Sequence, residues 1–352
     1  MRSRLFFLAA LALGAGILGW MLCAVEWEAF ARALAQARWP WFVACLAALF
    51  ASFFTRILRW RYAVRAVKPE ATFRQMFSAT QIGFLVNFIL PARLGEVARA
   101  AALGRLARIP FAQGMALAAL DRVLDLIGLL ATMLVALAAF TPRGDLRVPG
   151  SVVGAEADIV IPEGLMRAGA AGFAAVALAA IMALVLIFAR LDWFLRINGW
   201  TFGLVSRRFH AWIERQARLF ADGLRVFRRA GDLLKSVGFS LLTWGLFVAG
   251  NAFLGAAFAI PWPWHGPFVM LAGIALFISI PGAPGFVGQF HLAVVASLKL
   301  LVPELDYSIA MAVAVVLHLA NLFLAVGLGV FALLIEGFSL SQMIGAARHS
   351  AE

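Results

Sequence analysis

The stretch Asn87-Phe-Ile-Leu-Pro-Ala-Arg-Leu-Gly-Glu-Val-Ala-Arg99 sets Arg93, Glu96 and Arg99 at three-residue steps, directly after an apolar run broken by Pro91. Ionisable groups at membrane depth are costly to bury, so where they occur they mark a functional site or a structural ion pair. The surrounding chain is apolar enough to create that depth. It is 64% hydrophobic and only 14% charged, with a mean hydropathy of +0.93, whereas soluble domains carry roughly 25% charged residues. The composition predicts a polytopic membrane protein, and the expectation for these residues is a site for the polar head of a lipid.

Net charge is read in the same light. A formal charge of +12 would suggest nucleic acid in a soluble chain. Here the arginines flank apolar spans, so the cytoplasmic excess of Lys and Arg accounts for them and no nucleic-acid partner is expected. Cys23 and Cys45 both lie inside apolar runs, which argues against a disulfide framework, and no zinc-like Cys/His spacing occurs. No metal or other cofactor is implied.

Residues 5–25 follow a basic start and are uncharged. Their length, about the 20 residues a span requires, suits an uncleaved signal anchor better than a cleaved signal. A short, charge-balanced loop with Glu26, Glu28, Arg32 and Arg38 leads to a second span at residues 39–55, with Trp39, Trp41 and Trp60 as interface anchors. Arg56, Arg59, Arg61, Arg65, Lys68 and Arg74 then face one acid, Glu70. This bias assigns them to a cytoplasmic loop and puts the N-terminus on the same side.

Residues 75–90 are apolar but short, and the basic stretch after Pro91 would be carried outside by a full crossing. A helical hairpin that enters from the cytoplasm and turns near Pro91 resolves this conflict. Re-entrant backbone is tolerated only where it packs in protein or lines a wet cavity, so the hairpin predicts a cavity. Residues 111–140 form the next span, with Asp121, Arg122 and Asp125 in its first half. A Gly/Pro-containing outer loop, residues 141–162, precedes a span at residues 168–189.

Residues 190–235 hold many more basic than acidic residues, with apolar side chains at three- and four-residue steps from Val205 to Phe227. They read as an amphipathic helix at the cytoplasmic interface facing anionic lipid, or equally as an elbow between two halves. Residues 236–298 contain no Asp, Glu, Lys or Arg. They predict a span to residue 260, an outer turn at Pro261–Pro267, and a second re-entrant hairpin over residues 268–301 that folds back at Pro281–Gly288. Residues 307–335 form the last span, ending in the cytoplasm.

Span, hairpin, span thus describes residues 39–140 and again residues 236–335, with opposite starting faces. The fold class is an all-α integral membrane protein, one polytopic domain over residues 1–352, with about six transmembrane helices and two re-entrant hairpins in an inverted repeat. Pro91-x-x-x-Gly95-Glu96 is echoed by Pro284-x-x-x-Gly288-Gln289.

Each candidate site residue has a chemical reason. Proline ends a half-helix and glycine permits a tight turn, so the next half-helix starts near Leu94 with its positive end at the turn, beside Asn87. Arg93 offers a planar donor for phosphate or carboxylate. Glu96 holds Arg93 or Arg99, or carries a proton. Asp121 and Asp125 share a helix face, with Arg122 beside them, and suit arginine partners better than a metal. The amides around Gly285 and Gly288 could cradle an anion. His291, beside that turn, and His318 lie in apolar helices.

Pro91-Ala-Arg-Leu-Gly-Glu-Val-Ala-Arg99 resembles the Pro-x-Arg-x-Gly-Glu-x-x-Arg motif of the lysylphosphatidylglycerol synthase transmembrane-region family, also called flippase-like membrane proteins. Asp121-Arg-Val-Leu-Asp125 is similar to its Glu-Arg-x-x-Asp, with Asp121 in place of Glu. Ala283-Pro-Gly-Phe-Val-Gly288 resembles its Ser-Pro-Gly-Gly-x-Gly turn, and His291 stands where the family has Glu. The resemblance covers essentially residues 5–335. It implies movement of a phospholipid or polyisoprenyl-phosphate-linked head group between leaflets of the bacterial cytoplasmic (inner) membrane, both termini being cytoplasmic. Arg93, Arg99 and Arg122 would meet the head group, with Glu96, Asp121 and Asp125 balancing them and Asn87, Gly285, Gly288, Gln289 and His291 completing the site. The chain ends at Glu352 without the aminoacyl-transferase domain of two-part members, so no enzymatic lysyl transfer is expected. The rival readings are a membrane transferase acting on a lipid-linked substrate and a non-transporting partner of a lipid or glycolipid synthase.

Overall fold

A computed structural model describes residues 2–89, 94–139, 145–148, 159–169, scattered positions between 171 and 215, 230–279 and 283–338. The expected span at residues 168–189 and the amphipathic segment up to residue 229 lie largely outside these residues, as does Arg93. In chain order the helices are α1 (Arg2–Cys23), α2 (Trp27–Gln36), α3 (Trp39–Val67), α4 (Phe73–Ile89), α5 (Gly95–Ala107), α6 (Phe111–Ala139), α7 (Ala230–Ala257), α8 (Gly266–Ser279), α9 (Gln289–Leu301) and α10 (Tyr307–Glu336). Among the described residues five segments are long and apolar enough to cross a bilayer: α3, α6, α7, α10 and Pro284–Leu301. The last is not one rod, because Gly285 at φ 65 and Gly288 at φ 81 break it before α9.

Several sequence expectations are corrected. The basic residues after residue 55 are not a loop, since α3 runs unbroken to Val67 and takes Arg56, Arg59, Arg61 and Arg65 with it. Arginine, leucine, tryptophan and alanine all tolerate a helix, and no breaker comes before Lys68-Pro69. The charge-balanced loop contains a helix, α2, whose tryptophan and phenylalanine meet edge to face at Trp27 and Phe30. The outer loop holds an antiparallel ribbon, β1 (Leu146–Val148) with β2 (Ile159–Ile161), as its short β-branched runs favour. In addition α7 begins at Ala230 rather than at Ser236, drawing Asp232 and Lys235 into the helix.

Packing fixes the helix directions. Arg38 N–H donates to the Ala257 carbonyl at 2.9 Å, Thr55 and Thr243 hydroxyls meet at 2.8 Å, and Tyr62 lies against Phe239. Rising numbers on α3 meet falling numbers on α7, so the two run antiparallel. The same logic makes α4 and α5 an antiparallel pair: Gln75 Nε2 donates to the Leu106 carbonyl at 2.7 Å, and Asn87 Oδ1 accepts from Gly95 N–H at 2.7 Å. Their approach is close because both partners lack a side chain where they meet. A Cβ on Gly95 would stand 2.1 Å from the Gly83 carbonyl oxygen. In the second pair, Gln289 Nε2 donates to the Phe277 carbonyl at 3.1 Å, and Gly273 makes room for Ser297.

The two pairs meet at their turns. Phe88, near the end of α4, sits edge to face with Phe286 of the Pro284–Phe286 turn at 5.9 Å. At 1.5 Å per residue the four helices α4, α5, α8 and α9 are only about 20–25 Å long. Helix α1 packs on the second turn, where Gly14 leaves space for Ala283 and Val287. Cavity walls are completed by the long helices. Asp306 caps the start of α10 by accepting from Ser308 N–H at 2.8 Å and Ile309 N–H at 3.2 Å. Exposed Trp27, Trp39, Trp41 and Trp264 all lie toward the end of the molecule where α3 starts and α7 finishes. Trp60 is not among them: it is fully buried.

Candidate functional site

Helices α3, α5 and α6 bring four arginines and three acids into one network. Asp121 Oδ1 accepts from Arg59 Nη2 at 2.6 Å and from Arg59 Nε at 3.0 Å, while its Oδ2 accepts from Arg99 Nη1 at 2.5 Å. Asp125 Oδ1 accepts from Arg59 Nη1 at 2.7 Å and lies 3.7 Å from Arg56 Nη2. Asp125 Oδ2 is 3.2 Å from Arg122 Nη1, and Arg122 Nε is 3.1 Å from Glu96 Oε1. That last contact is an ion pair by distance alone, because the Nε–H does not point at the oxygen.

The sequence reason is spacing. Asp121 and Asp125 project from one face of α6 one turn apart, and Arg59 on the facing helix spans both with its planar fork. Arg99 sits one turn beyond Glu96 on α5 and reaches the far side of Asp121. Its guanidinium also stacks 3.5 Å above the Trp60 ring, whose Nε1 donates to the Leu117 carbonyl at 3.1 Å. Ser240 of α7 donates to the Leu124 carbonyl and accepts from Arg59 Nη1 at 3.2 Å, tying the network to the second half of the chain.

The cluster borders a cavity of about 400 Å³, large enough for a head group, whose polar end is lined by Arg56, Asn87, Glu96, Arg122 and Asp125. Phenylalanines 53, 84, 247 and 286 form much of its apolar wall, and His318, Asn251 and Asn321 add polar atoms from α10 and α7. Arg56 lies over the Phe84 ring at 5.1 Å and the Phe247 ring at 5.5 Å. Counting Arg56, Arg59, Arg99 and Arg122 against Glu96, Asp121 and Asp125 leaves one positive charge among the described residues. Buried polar atoms without a hydrogen-bond partner include Glu96 Oε2 and Arg99 Nε and Nη2.

The expected partnership of Arg99 with Asp121 is present. Among the described residues the ion-pair partner of Glu96 is Arg122 rather than Arg99, and Arg93 lies outside them. Arg99 is 3% exposed and does not line the cavity. Of the second set, Gly285 and Gly288 lie in the turn before α9, and Gln289 and His291 in the first turn of α9. The space a side chain would need at Gly288 is taken by Gly14 and Ile17 of α1. Sequence reasoning passed over Arg56 and Arg59 as loop residues. The missed signal was their helical register with the buried Trp60, Ala63 and Val64.

The model of the lysylphosphatidylglycerol synthase TM region matches residues 7–329. The chain belongs to that family. Among curated proteins and solved structures, none matches significantly. Family and apolar helices together make this a multi-pass membrane protein.

Proposed function

We propose that this member of the family is a flippase-like transporter that moves an anionic or phosphate-linked lipid head group between leaflets. The observation that carries the reading is the joining of a net-positive arginine cluster to an apolar-walled cavity of about 400 Å³. Charges in a membrane protein are kept where they meet a partner or a pathway. Arg56 and Arg122 contact the head group, with Asn87 and Glu96 beside them. Arg59, Arg99 and Asp121 hold the geometry, and Asp125 bridges the two groups.

The framework is an inverted repeat of residues 39–140 and 236–335. Exchanging the halves maps α3 against α7 onto itself, α4 against α10 onto α8 against α6, and α5 against α6 onto α9 against α10, and each of these pairs packs together. The first helices of the halves run antiparallel. Hairpins α4–α5 and α8–α9 are each too short for a core of about 30 Å, and they meet tip to tip, as re-entrant hairpins from opposite faces would. The cytoplasm then lies at the Val67 and Glu336 end, opposite the exposed tryptophans. Both Asp121 and Asp125 are engaged by arginines, which favours transport over a membrane transferase needing free paired acids.

Mass spectrometry of lipid retained by gently purified protein, followed by a leaflet-asymmetry assay in proteoliposomes, tests the reading. An anionic or phosphate-linked lipid should be retained and moved, and Arg56→Ala or Arg122→Ala should abolish movement. Wild-type movement in both variants, or retention of neutral lipid alone, refutes it.

A further inference from the structure

The second hairpin carries a polar pair that the arginine cluster does not use. His318 Nε2 stands 2.8 Å from the Gly285 carbonyl oxygen, and His318 Nδ1 stands 3.3 Å from His291 Nε2. A carbonyl oxygen can only accept, so in the neutral pair Nε2 of His318 carries the proton and its Nδ1 is the acceptor. His291 Nε2 is then the donor between the rings. This leaves His291 Nδ1 as a bare acceptor, and it is buried without a partner. His291 is 4% and His318 6% exposed, and Phe290 stacks on His318 at 5.0 Å, so neither ring is free to turn toward bulk water. Only His318 lines the cavity.

We propose that His291 and His318 form a two-ring proton relay whose input is His291 Nδ1 and whose output is positive charge on the cavity wall. A proton adds to His291 Nδ1, and the proton on His291 Nε2 passes to His318 Nδ1. His291 ends neutral, with its proton on Nδ1. His318 ends as an imidazolium donating to both the Gly285 carbonyl and His291 Nε2. One proton has entered, one charge has appeared, and every former contact is kept. The only unsatisfied acceptor in the chain of bonds is the atom that takes the proton.

The charged groups that share the cavity with His318 are Arg56 from α3, Glu96 from α5, and Arg122 and Asp125 from α6. Other ionisable groups on the helices packed around the pair lie elsewhere. Lys299 of α9 donates to the Pro303 and Leu305 carbonyls, Tyr307 begins α10 and donates to the Met21 carbonyl, and Arg74 of α4 pairs with Glu336. Arg59 is held by Asp121 and Asp125. Glu28 and Arg32 of α2, Cys45, Arg61, Tyr62 and Arg65 of α3, Arg99 and Arg105 of α5, Cys23 of α1, and Asp232 and Lys235 of α7 complete the set among the described side chains, and α8 has none. Charge at His318 therefore adds a net positive charge to a cavity whose lining arginines, Arg56 and Arg122, are matched by Glu96 and Asp125. Resting on the transport reading, the consequence is that head-group binding takes up a proton and proton binding tightens the head group, as linkage requires.

Two arms test the relay. In protein labelled with nitrogen-15 histidine, the wild-type pair should bind one proton between about pH 4 and pH 9, His318 becoming protonated at both nitrogens. In His291→Asn that transition should shift by at least about one pH unit. Two rings that stay neutral throughout, or a His318 that titrates identically in the variant, overturn the proposal whatever the transport result. In proteoliposomes of phosphatidylglycerol with a fluorescent phosphatidylglycerol probe, wild-type movement should rise roughly tenfold on acidification. It should change less than about twofold in His291→Asn and in His318→Asn. Equal pH dependence in all three overturns the coupling. Absence of movement by wild-type protein at every pH refutes the transport reading instead, and leaves the spectra to decide the relay.

Discussion

Arg59 and Asp121 form an ion pair with both side chains fully excluded from solvent, Nη2 to Oδ1 at 2.6 Å. Such a pair is weak evidence for stability in itself, because desolvation offsets most of the attraction, but breaking it leaves an unpaired buried charge. Arg59→Leu would remove both hydrogen bonds to Asp121 Oδ1 and the 2.7 Å hydrogen bond to Asp125 Oδ1, leaving Asp121 with Arg99 and Asp125 with Arg122 and Arg56. It should destabilise the protein by about 3–5 kcal/mol, read as a large fall in the thermal midpoint in detergent. A change within error would show that the acids are held by the other arginines alone.

Arg56 should behave differently. It is 3.7 Å from its one carboxylate, partly exposed, and packed across Phe84 and Phe247 at the cavity edge. Arg56→Ala should therefore shift stability by no more than about 1 kcal/mol, yet lower head-group movement by at least about tenfold. Arg56→Lys keeps the charge but not the planar fork, so recovery should be partial. Equal losses of stability in the Arg56 and Arg59 variants would dissolve the distinction between contact and scaffold.

How much of this was legible beforehand depends on what each residue type announces. Pro91 and Gly95 announce a turn whatever surrounds them, and the run from Pro281 to Gly288 does the same, so both hairpins could be read locally. Asp121 and Asp125, one helical turn apart in an apolar span, announce that arginine must come to them. Which arginine comes is a tertiary fact. Arg56 and Arg59 follow an apolar run of span length and look like the flanking charges that end a membrane helix. They are instead inside α3, because nothing before Lys68-Pro69 stops the helix, and the bundle supplies two buried carboxylates opposite them. The pairing of His291 with His318 was equally hidden, since it joins helices on either side of a loop.

Gly95 tests whether close packing holds the first hairpin shut. A Cβ there would stand 2.1 Å from the Gly83 carbonyl oxygen and 2.4 Å from the Asn87 side chain, and backbone cannot step aside cheaply. Gly95→Ala should cost about 1–3 kcal/mol through overpacking and loosen the Asn87 to Gly95 hydrogen bond. Gly238 in α7 has nothing within 4 Å of its Cβ position. Gly238→Ala should leave the thermal midpoint unchanged or raise it, by up to about 1 kcal/mol of helix propensity. A Gly95→Ala protein as stable as wild type would mean that α4 and α5 can separate without cost.

The inverted arrangement predicts sidedness. Glu70 and Arg108 are exposed at the open end of α4–α5, and Trp264 and Glu304 are exposed at the open end of α8–α9. With Cys23 and Cys45 replaced by alanine, single cysteines at 70 and 108 should react with an impermeant thiol reagent from the cytoplasmic face only. Cysteines at 264 and 304 should react from the opposite face only. Because each hairpin is antiparallel, its two ends must agree with each other; a position 70 that disagrees with position 108 would break the hairpin itself. If all four positions label from one face, the hairpins enter together and the repeat is not inverted. The cavity between their tips would then need another route between leaflets, since α3 and α7 alone are antiparallel in any orientation of the molecule.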